Sequence, residues 1–346
     1  MKFHTVQYLR AVAALVVVVT HALLHPITYV NIPIRRFGSF GVVLFFVISG
    51  FIIVYTTGKG GFKPGNFIRR RLERVVPLYW IVTAGVAVLA LAAPSLLKNT
   101  TFTWTQFIGS LLFIPHARPD GAVVPMMMLG WTLNYEMFFY LVFAAMAPLT
   151  AGRRILAVTA IFFALIALGL VMQFTAPIPW FYTQPLLITF CIGMGVGYLL
   201  LRYPDQLFVP RLAPAWLAAA ILFLAIAFAV PSSVPPGPLT DLPFAAAGGA
   251  LIMFGLSVEV RLPKWRFGVL LGDASYSMYL THMYIVAASI LVVQKLTGSA
   301  IPWLDVMLSV TLSIAVSIPI WRLVDRPIYK TLRRLDRSAQ QRQAPA

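Results

Sequence analysis

The amino-acid sequence predicts an all-α integral membrane protein, a polytopic bundle of about ten transmembrane helices with both termini cytoplasmic. Three observations predict it. Of the 346 residues, 60% are hydrophobic and only 11% are charged, against roughly 25% charged in soluble domains, and the mean hydropathy is +0.86. Apolar runs of about 20 residues, enough to cross a bilayer, recur along the chain. The basic residues gather between those runs, in alternate loops.

In order, the runs lie near 7–25, 38–57, 75–93, 128–149, 154–174, 181–201, 212–231, 242–258, 272–294 and 302–322. The stretch 104–115 is apolar but short and ends at Pro115, so it reads as an interfacial or re-entrant helix. Ten spans put both termini on one side. With that side cytoplasmic, 22 of the 27 Lys and Arg fall inside; only Arg35, Arg36, Lys98, Arg118 and Lys295 fall outside, as the positive-inside rule requires. The first run follows a short basic start, but no small-residue cleavage site leads into a polar mature domain, so the first span is expected to stay in the membrane. Residues 1–337 thus read as a single transmembrane domain, and 338–346 as a polar tail expected to be disordered.

The net charge of +17 is spread over short loops rather than one soluble face, which argues against a nucleic-acid partner and for the lipid bilayer. The single cysteine, Cys191, lies in an apolar run and reads as a packing thiol; neither an internal disulfide nor a metal site is expected. Gly193, Gly195 and Gly197 contain a GxxxG, which helix packing explains without a cofactor.

Ionisable groups inside spans are costly and are therefore candidate functional residues. Four segments carry them. In YLRAVAALVVVVTHALLH, Arg10 and His21 are 11 residues apart, which returns to nearly the same helix face about 16 Å along the axis; His25 follows at i+4. A snorkelling Arg and an interfacial His would give the same spacing. In FIRRRLERVVPLYW, Arg71 and Arg74 are i, i+3 neighbours that can point one way. Paired guanidiniums suit bidentate phosphate binding, or the cluster is an anchor for anionic headgroups. Pro77 begins or bends the helix that follows.

In GWTLNYEMFFYL, Glu136 sits in an apolar and aromatic run and must be paired, protonated or facing a polar cavity. Trp131 and Tyr140 beside it read as interfacial or packing aromatics. In GDASYSMYLTHMYI, Asp273 and Ser275 look like a helix N-cap region, and Tyr276, Tyr279 and His282 recur at about i, i+3, i+6. A lone His282 is otherwise a helix–helix contact.

These segments, in this order, resemble the acyltransferase-3 family of membrane acyltransferases. The resemblance rests on LRAVAALVVVVTHALLH, the following FFVISGFII, then RRRLERVVPLYW, WTLNYEMFFYL and SYSMYLTH. It spreads over nearly the whole chain and is nearest to the exopolysaccharide O-acetyltransferases. It implies transfer of an acyl group, usually acetyl, from cytoplasmic acyl-CoA to a sugar hydroxyl of an exported or lipid-linked polysaccharide, in a bacterial-type inner (plasma) membrane. Acetyl-CoA is then a donor substrate, and no permanently bound cofactor is expected. Residue by residue, the resemblance implies that Arg10 and His21 match the family's first-span Arg and His, Arg71 and Arg74 its donor-linked Arg pair, and Glu136 its span-four acid. His282 is a less certain match; His25 and Tyr276 remain secondary candidates.

Under that reading His21 is a general base or a transient acyl carrier. An imidazole pKa near about 6.5 suits proton removal near neutrality, and Glu136 could orient the ring. Arg71 and Arg74 would hold the CoA phosphates at the inner face, about 20 Å from His21 along the membrane normal. The competing class is a transporter or flippase of polysaccharide intermediates, which intramembrane charge and ten spans would also suit; no repeated halves are evident.

Overall fold

A computed structural model describes residues 3–24, 32–97, 100–118, 121–231, 233–234, 237–299 and 301–342. Among them the chain forms helices α1 (His4–Leu23), α2 (Ile32–Thr57), α3 (Pro64–Ala92), α4 (Trp104–Leu111), α5 (Trp131–Ala145), α6 (Ala151–Met172) and α7 (Pro177–Tyr182). It continues through α8 (Ile188–Arg202), α9 (Pro204–Leu207), α10 (Ala213–Ala229), α11 (Pro238–Val258), α12 (Arg266–Thr297), α13 (Pro302–Ile320) and α14 (Arg326–Arg342). An all-helical chain is what a bilayer demands, because each helix satisfies its own backbone polar groups.

Among the described residues nine helical segments are long and apolar enough to cross a membrane: α1, α2, α3, α6, α8 with the turn before it, α10, α11, α12, and α13 continued into α14. The run expected at 128–149 is not among them. There α5 has only 15 residues, about 22 Å of helix, short of the roughly 30 Å hydrocarbon core. Nine of its residues are buried, so its apolarity serves protein packing rather than lipid contact. A 3₁₀ turn at Met128–Gly130 precedes it, where a Cβ on Gly130 would lie 2.6 Å from the Tyr79 hydroxyl. The short helix expected at 104–115 is α4, capped by Thr103, whose Oγ1 accepts from the Gln106 amide at 3.2 Å.

One end of the bundle collects most of the basic segments. The start of α1 meets the end of α2 through Phe3 and Tyr55, ring centroids 5.1 Å apart. Phe3 gives α1 no side-chain cap. The Glu259 carboxylate, just past α11, accepts instead from the His4 amide at 2.7 Å and the Thr5 amide at 3.0 Å, which satisfies orphan donors and complements the helix dipole. At the same end Arg154, 1% exposed, ties the α2–α3 turn to the α5–α6 turn. It donates to Gly60 O at 2.6 Å and Leu149 O at 2.5 Å, and its guanidinium lies 4.5 Å from the Phe62 ring centroid. At the opposite end Arg36 donates to the carbonyls of Val230 and Pro231 beyond α10, where the dipole is negative.

Helix packing places the site. Gly193 and Gly197 on α8 lie against the Val47 and Phe51 carbonyls of α2 so closely that a Cβ on either would intrude, the close approach that small residues permit. Gly272 does the same on α12 against the Gln7 carbonyl of α1. That contact corrects the reading of Asp273 and Ser275 as a helix start. The helix begins at Arg266 with Trp265 as its N-cap, and Gly272 marks close packing, not a break. Pro77 likewise lies inside α3 rather than beginning it. Between α13 and α14 the helix passes through a π-turn at Trp321–Asp325, a device that shifts the helical face and turns Asp325 inward.

Candidate functional site

A cavity of about 1000 Å³ opens among α1, α2, α3, α5, α12 and α14. Each helix contributes polar side chains on one stripe. Along α5, Thr132, Glu136 and Tyr140 stand at i, i+4 and i+8 and all line it. Along α12, Asp273, Tyr276 and Tyr279 do so, with Gln7 and Arg10 from α1 opposite. From α3 come Arg70, Arg71 and Arg74, and from α14 Arg326, Lys330 and Arg333.

The interior is a network rather than a set of isolated charges. Glu136 Oε1 accepts from Ser49 Oγ at 2.9 Å and from the Tyr140 hydroxyl in a short bond. Arg10 Nη1 donates to Gln7 Oε1 at 3.2 Å and lies within electrostatic reach of Arg74, Asp273, Glu136 and Asp325. The Thr132 and Tyr279 hydroxyls are 3.0 Å apart. The Tyr276 hydroxyl donates to the Val75 carbonyl at 2.7 Å, anchoring α12 to α3.

The two arginines of the Arg-x-x-Arg pair differ in their engagements. Arg71 Nη2 donates to Thr56 Oγ1 at 3.1 Å, and its guanidinium lies 5.4 and 5.6 Å from the Phe67 and Tyr140 ring centroids. Arg74 Nη1 is bound to Asp325 Oδ2 at 2.5 Å, and its guanidinium lies 5.5 Å from the Tyr276 ring centroid. Arg74 is thus neutralised by a carboxylate that sequence reasoning did not select. The cations of α14 were also missed as site residues, having been counted only as inside charge. Their spacing, 326, 330 and 333 at i, i+4 and i+7, is the signal that one helical face carries them.

The structure brings Arg10, Arg71, Arg74, Glu136 and Tyr276 to this one cavity. His21 and His282 are not among its lining residues. They stand beyond its far end, with ring centroids 5.1 Å apart. Tyr279 connects the two regions: it lines the cavity, and its ring is 5.8 Å from that of His282. His282 is fully buried, its Nδ1 2.7 Å from the Tyr279 carbonyl. A carbonyl only accepts, so Nδ1 carries the proton and Nε2 presents a lone pair; that Nε2 has no hydrogen-bond partner among the described residues. The bonds of Glu136 run to Ser49 and Tyr140. His25 lies outside the described residues.

This arrangement has a cationic mouth suited to phosphate, a hydrogen-bonded acid midway, and an imidazole pair at the end. The family described as an acyltransferase domain (Acyl_transf_3) matches residues 3–322. The exopolysaccharide production protein ExoZ of Rhizobium meliloti (strain 1021) is 33% identical over 253 residues, covering 72% of this chain and 77% of that protein. The acyltransferase MdmB of Streptomyces mycarofaciens is 29% identical over 113 residues, covering 32% of this chain and 28% of that protein. No solved structure matches the chain.

Proposed function

The chain belongs to the acyltransferase-3 family, and on that premise we propose that it moves an acetyl group from cytoplasmic acyl-CoA to a sugar hydroxyl of an exported or lipid-linked polysaccharide. The protein then sits in a bacterial-type inner membrane with its basic end and both termini cytoplasmic, as the distribution of Lys and Arg favours. The observation that carries the reading is the single cavity that joins the cationic mouth to Glu136 and ends one tyrosine short of His21 and His282.

Phosphates of the donor are held at the mouth by Arg70, Arg71, Arg326, Lys330 and Arg333, where Arg forks suit phosphate oxygens. The pantetheine arm runs inward past Arg10, Glu136 and Tyr140. From Arg10 to His21 the helix rises about 16 Å, a span that a long thin arm can thread. His21 takes the proton from the sugar hydroxyl as its oxygen attacks the thioester carbonyl. The new C–O bond forms, the C–S bond breaks, and the CoA thiolate recovers the proton from the imidazolium. A transient acyl-histidine is the alternative course of the same step. Glu136, through Ser49 and Tyr140, fixes the polar wall along which the thioester lies.

Membranes containing the protein, given labelled acetyl-CoA, are expected to label glycan. Purified His21→Ala protein is expected to bind acetyl-CoA and transfer nothing. Glycan labelling that persists in His21→Ala overturns the assignment of the base, and no labelling by the unmodified protein overturns the transfer itself in favour of a transporter.

A further inference from the structure

A second cavity, of about 300 Å³, lies on the other side of α5. Its wall is built from aromatic faces. Trp131 and Tyr135, at i and i+4, come from the face of α5 turned away from Glu136, and Trp180 and Phe181 come from α7. Tyr135 stacks on Phe181 at 4.1 Å and meets the edge of Trp131 at 5.9 Å, so the platform is rigid. Trp180 is 41% exposed at its rim. Two polar side chains converge on it, Gln184 and Asp241. Gln184 Nε2 is held by the Trp180 carbonyl at 2.8 Å, which leaves its amide oxygen to accept from a ligand.

The cavity opens at the end of the bundle away from the cationic mouth. The end of α5 lies at the basic end beside Arg154, so its start lies opposite; the start of α11 lies opposite for the same reason, because α11 ends at the base of α1. The cavity's link to the imidazoles runs through α5 and α12. Thr132, next to Trp131, meets the Tyr279 hydroxyl at 3.0 Å, and Tyr279, His282 and His21 follow in contact.

We propose that the cavity of Trp131, Trp180, Gln184 and Asp241 binds one uncharged sugar ring of the acceptor glycan, a proposal that rests on the acyl-transfer reading above. Aromatic faces cover the C–H faces of a pyranose, while a carboxylate and an amide oxygen accept from its hydroxyls. Charge narrows the class. Among the described lining residues no Lys or Arg occurs and Asp241 is the single charged group, so a phosphate or a uronate is repelled and a neutral sugar is admitted. Donor and acceptor then approach the histidine layer from opposite ends, with α5 as the partition between them.

The test uses full-length protein in nanodiscs, labelled acetyl-CoA, and oligosaccharides from the host polysaccharide after mild alkaline removal of their esters. Trp180→Ala and Asp241→Asn are each expected to raise KM for the oligosaccharide about tenfold or more, with KM for acetyl-CoA unchanged. Unchanged oligosaccharide KM in both variants, or an equal rise in both KM values, overturns the proposal. Gln184→Ala, a smaller change at the rim, is expected to raise the same KM about threefold, and thermal unfolding checks that each variant is folded. In the unmodified protein the oligosaccharide is expected to change tryptophan emission without acetyl-CoA present, and Trp180→Ala is expected to diminish that change. If the unmodified protein labels no oligosaccharide, the acyl-transfer reading falls, and the emission change alone decides whether the cavity binds sugar.

Discussion

The rings of His21 and His282 lie 5.1 Å apart, brought together by two helices that run in the same direction. Gly272 seats α12 against Gln7 at the base of α1, and both helices then rise to their histidines. His282 is locked by the Tyr279 carbonyl with Nε2 left as an acceptor. On the acyl-transfer reading, we propose that His282 serves as a positioning residue for the imidazole packed against it. His282→Gln is expected to lower kcat about 10²-fold, at the low end of what general base catalysis supplies, with KM for acetyl-CoA unchanged. A shifted pH–rate profile distinguishes positioning from a packing defect, which would lower the amount of folded enzyme and leave the profile in place.

The cationic mouth makes a second prediction. Arg326, Lys330 and Arg333 share one face of α14 and line the cavity with Arg70 and Arg71. If that mouth holds the donor phosphates, Lys330→Gln and Arg333→Gln each raise KM for acetyl-CoA about five- to tenfold, because a hydrogen bond to a charged group contributes about 1.5–3 kcal/mol and exposure discounts it. Raising the salt concentration weakens donor binding in the unmodified protein, and the double variant loses most of that salt dependence. Unaltered KM would make α14 a lipid-headgroup contact only.

Legibility in the sequence followed the cost of misplacing a group. Arg10, Glu136 and His282 stood out because a polar side chain in an apolar run needs a reason, and the structure places Arg10 and Glu136 on one cavity. Lys330 and Arg333 did not stand out, because charge outside a span needs none. Asp325 was illegible because its partner Arg74 is 251 residues away, and no local pattern encodes that distance. For α5, hydropathy could not separate an apolar helix packed inside protein from one facing lipid. Asp273 resembled a cap because a Gly-Asp step reads as a break, whereas here the glycine permits contact with α1.

The Arg74–Asp325 pair at 2.5 Å yields a third prediction, on stability. Asp325 is 5% exposed, and breaking such a pair leaves a carboxylate buried without compensation. Arg74→Gln is expected to destabilise the protein by about 3 kcal/mol, and Arg74→Gln with Asp325→Asn to recover most of it, since removing both charges is often nearly neutral. Thermal unfolding in detergent supplies the coupling energy as a double-mutant cycle. In the double variant KM for acetyl-CoA is expected to rise less than in Arg71→Gln, because Arg74 is already committed to Asp325.

Arg154 makes the last prediction, and it separates structure from catalysis. Its guanidinium reaches Gly60 O, Leu149 O and, at 3.4 Å, Thr57 Oγ1 and Ala147 O, and lies 4.5 and 5.3 Å from the Phe62 and Phe143 ring centroids. One buried cation thus joins the α2–α3 turn to the α5–α6 turn. Lysine has neither the planar fork nor the stacking surface, so Arg154→Lys leaves several carbonyls unpaired and is expected to cost about 2–3 kcal/mol. Arg154→Ala adds the lost ring packing and costs more. Because Arg154 lies outside the lining of the cavity, KM for acetyl-CoA is expected to stay constant in the folded fraction of Arg154→Lys. A selective rise in that KM, with the unfolding temperature unchanged, would instead make Arg154 part of the donor site.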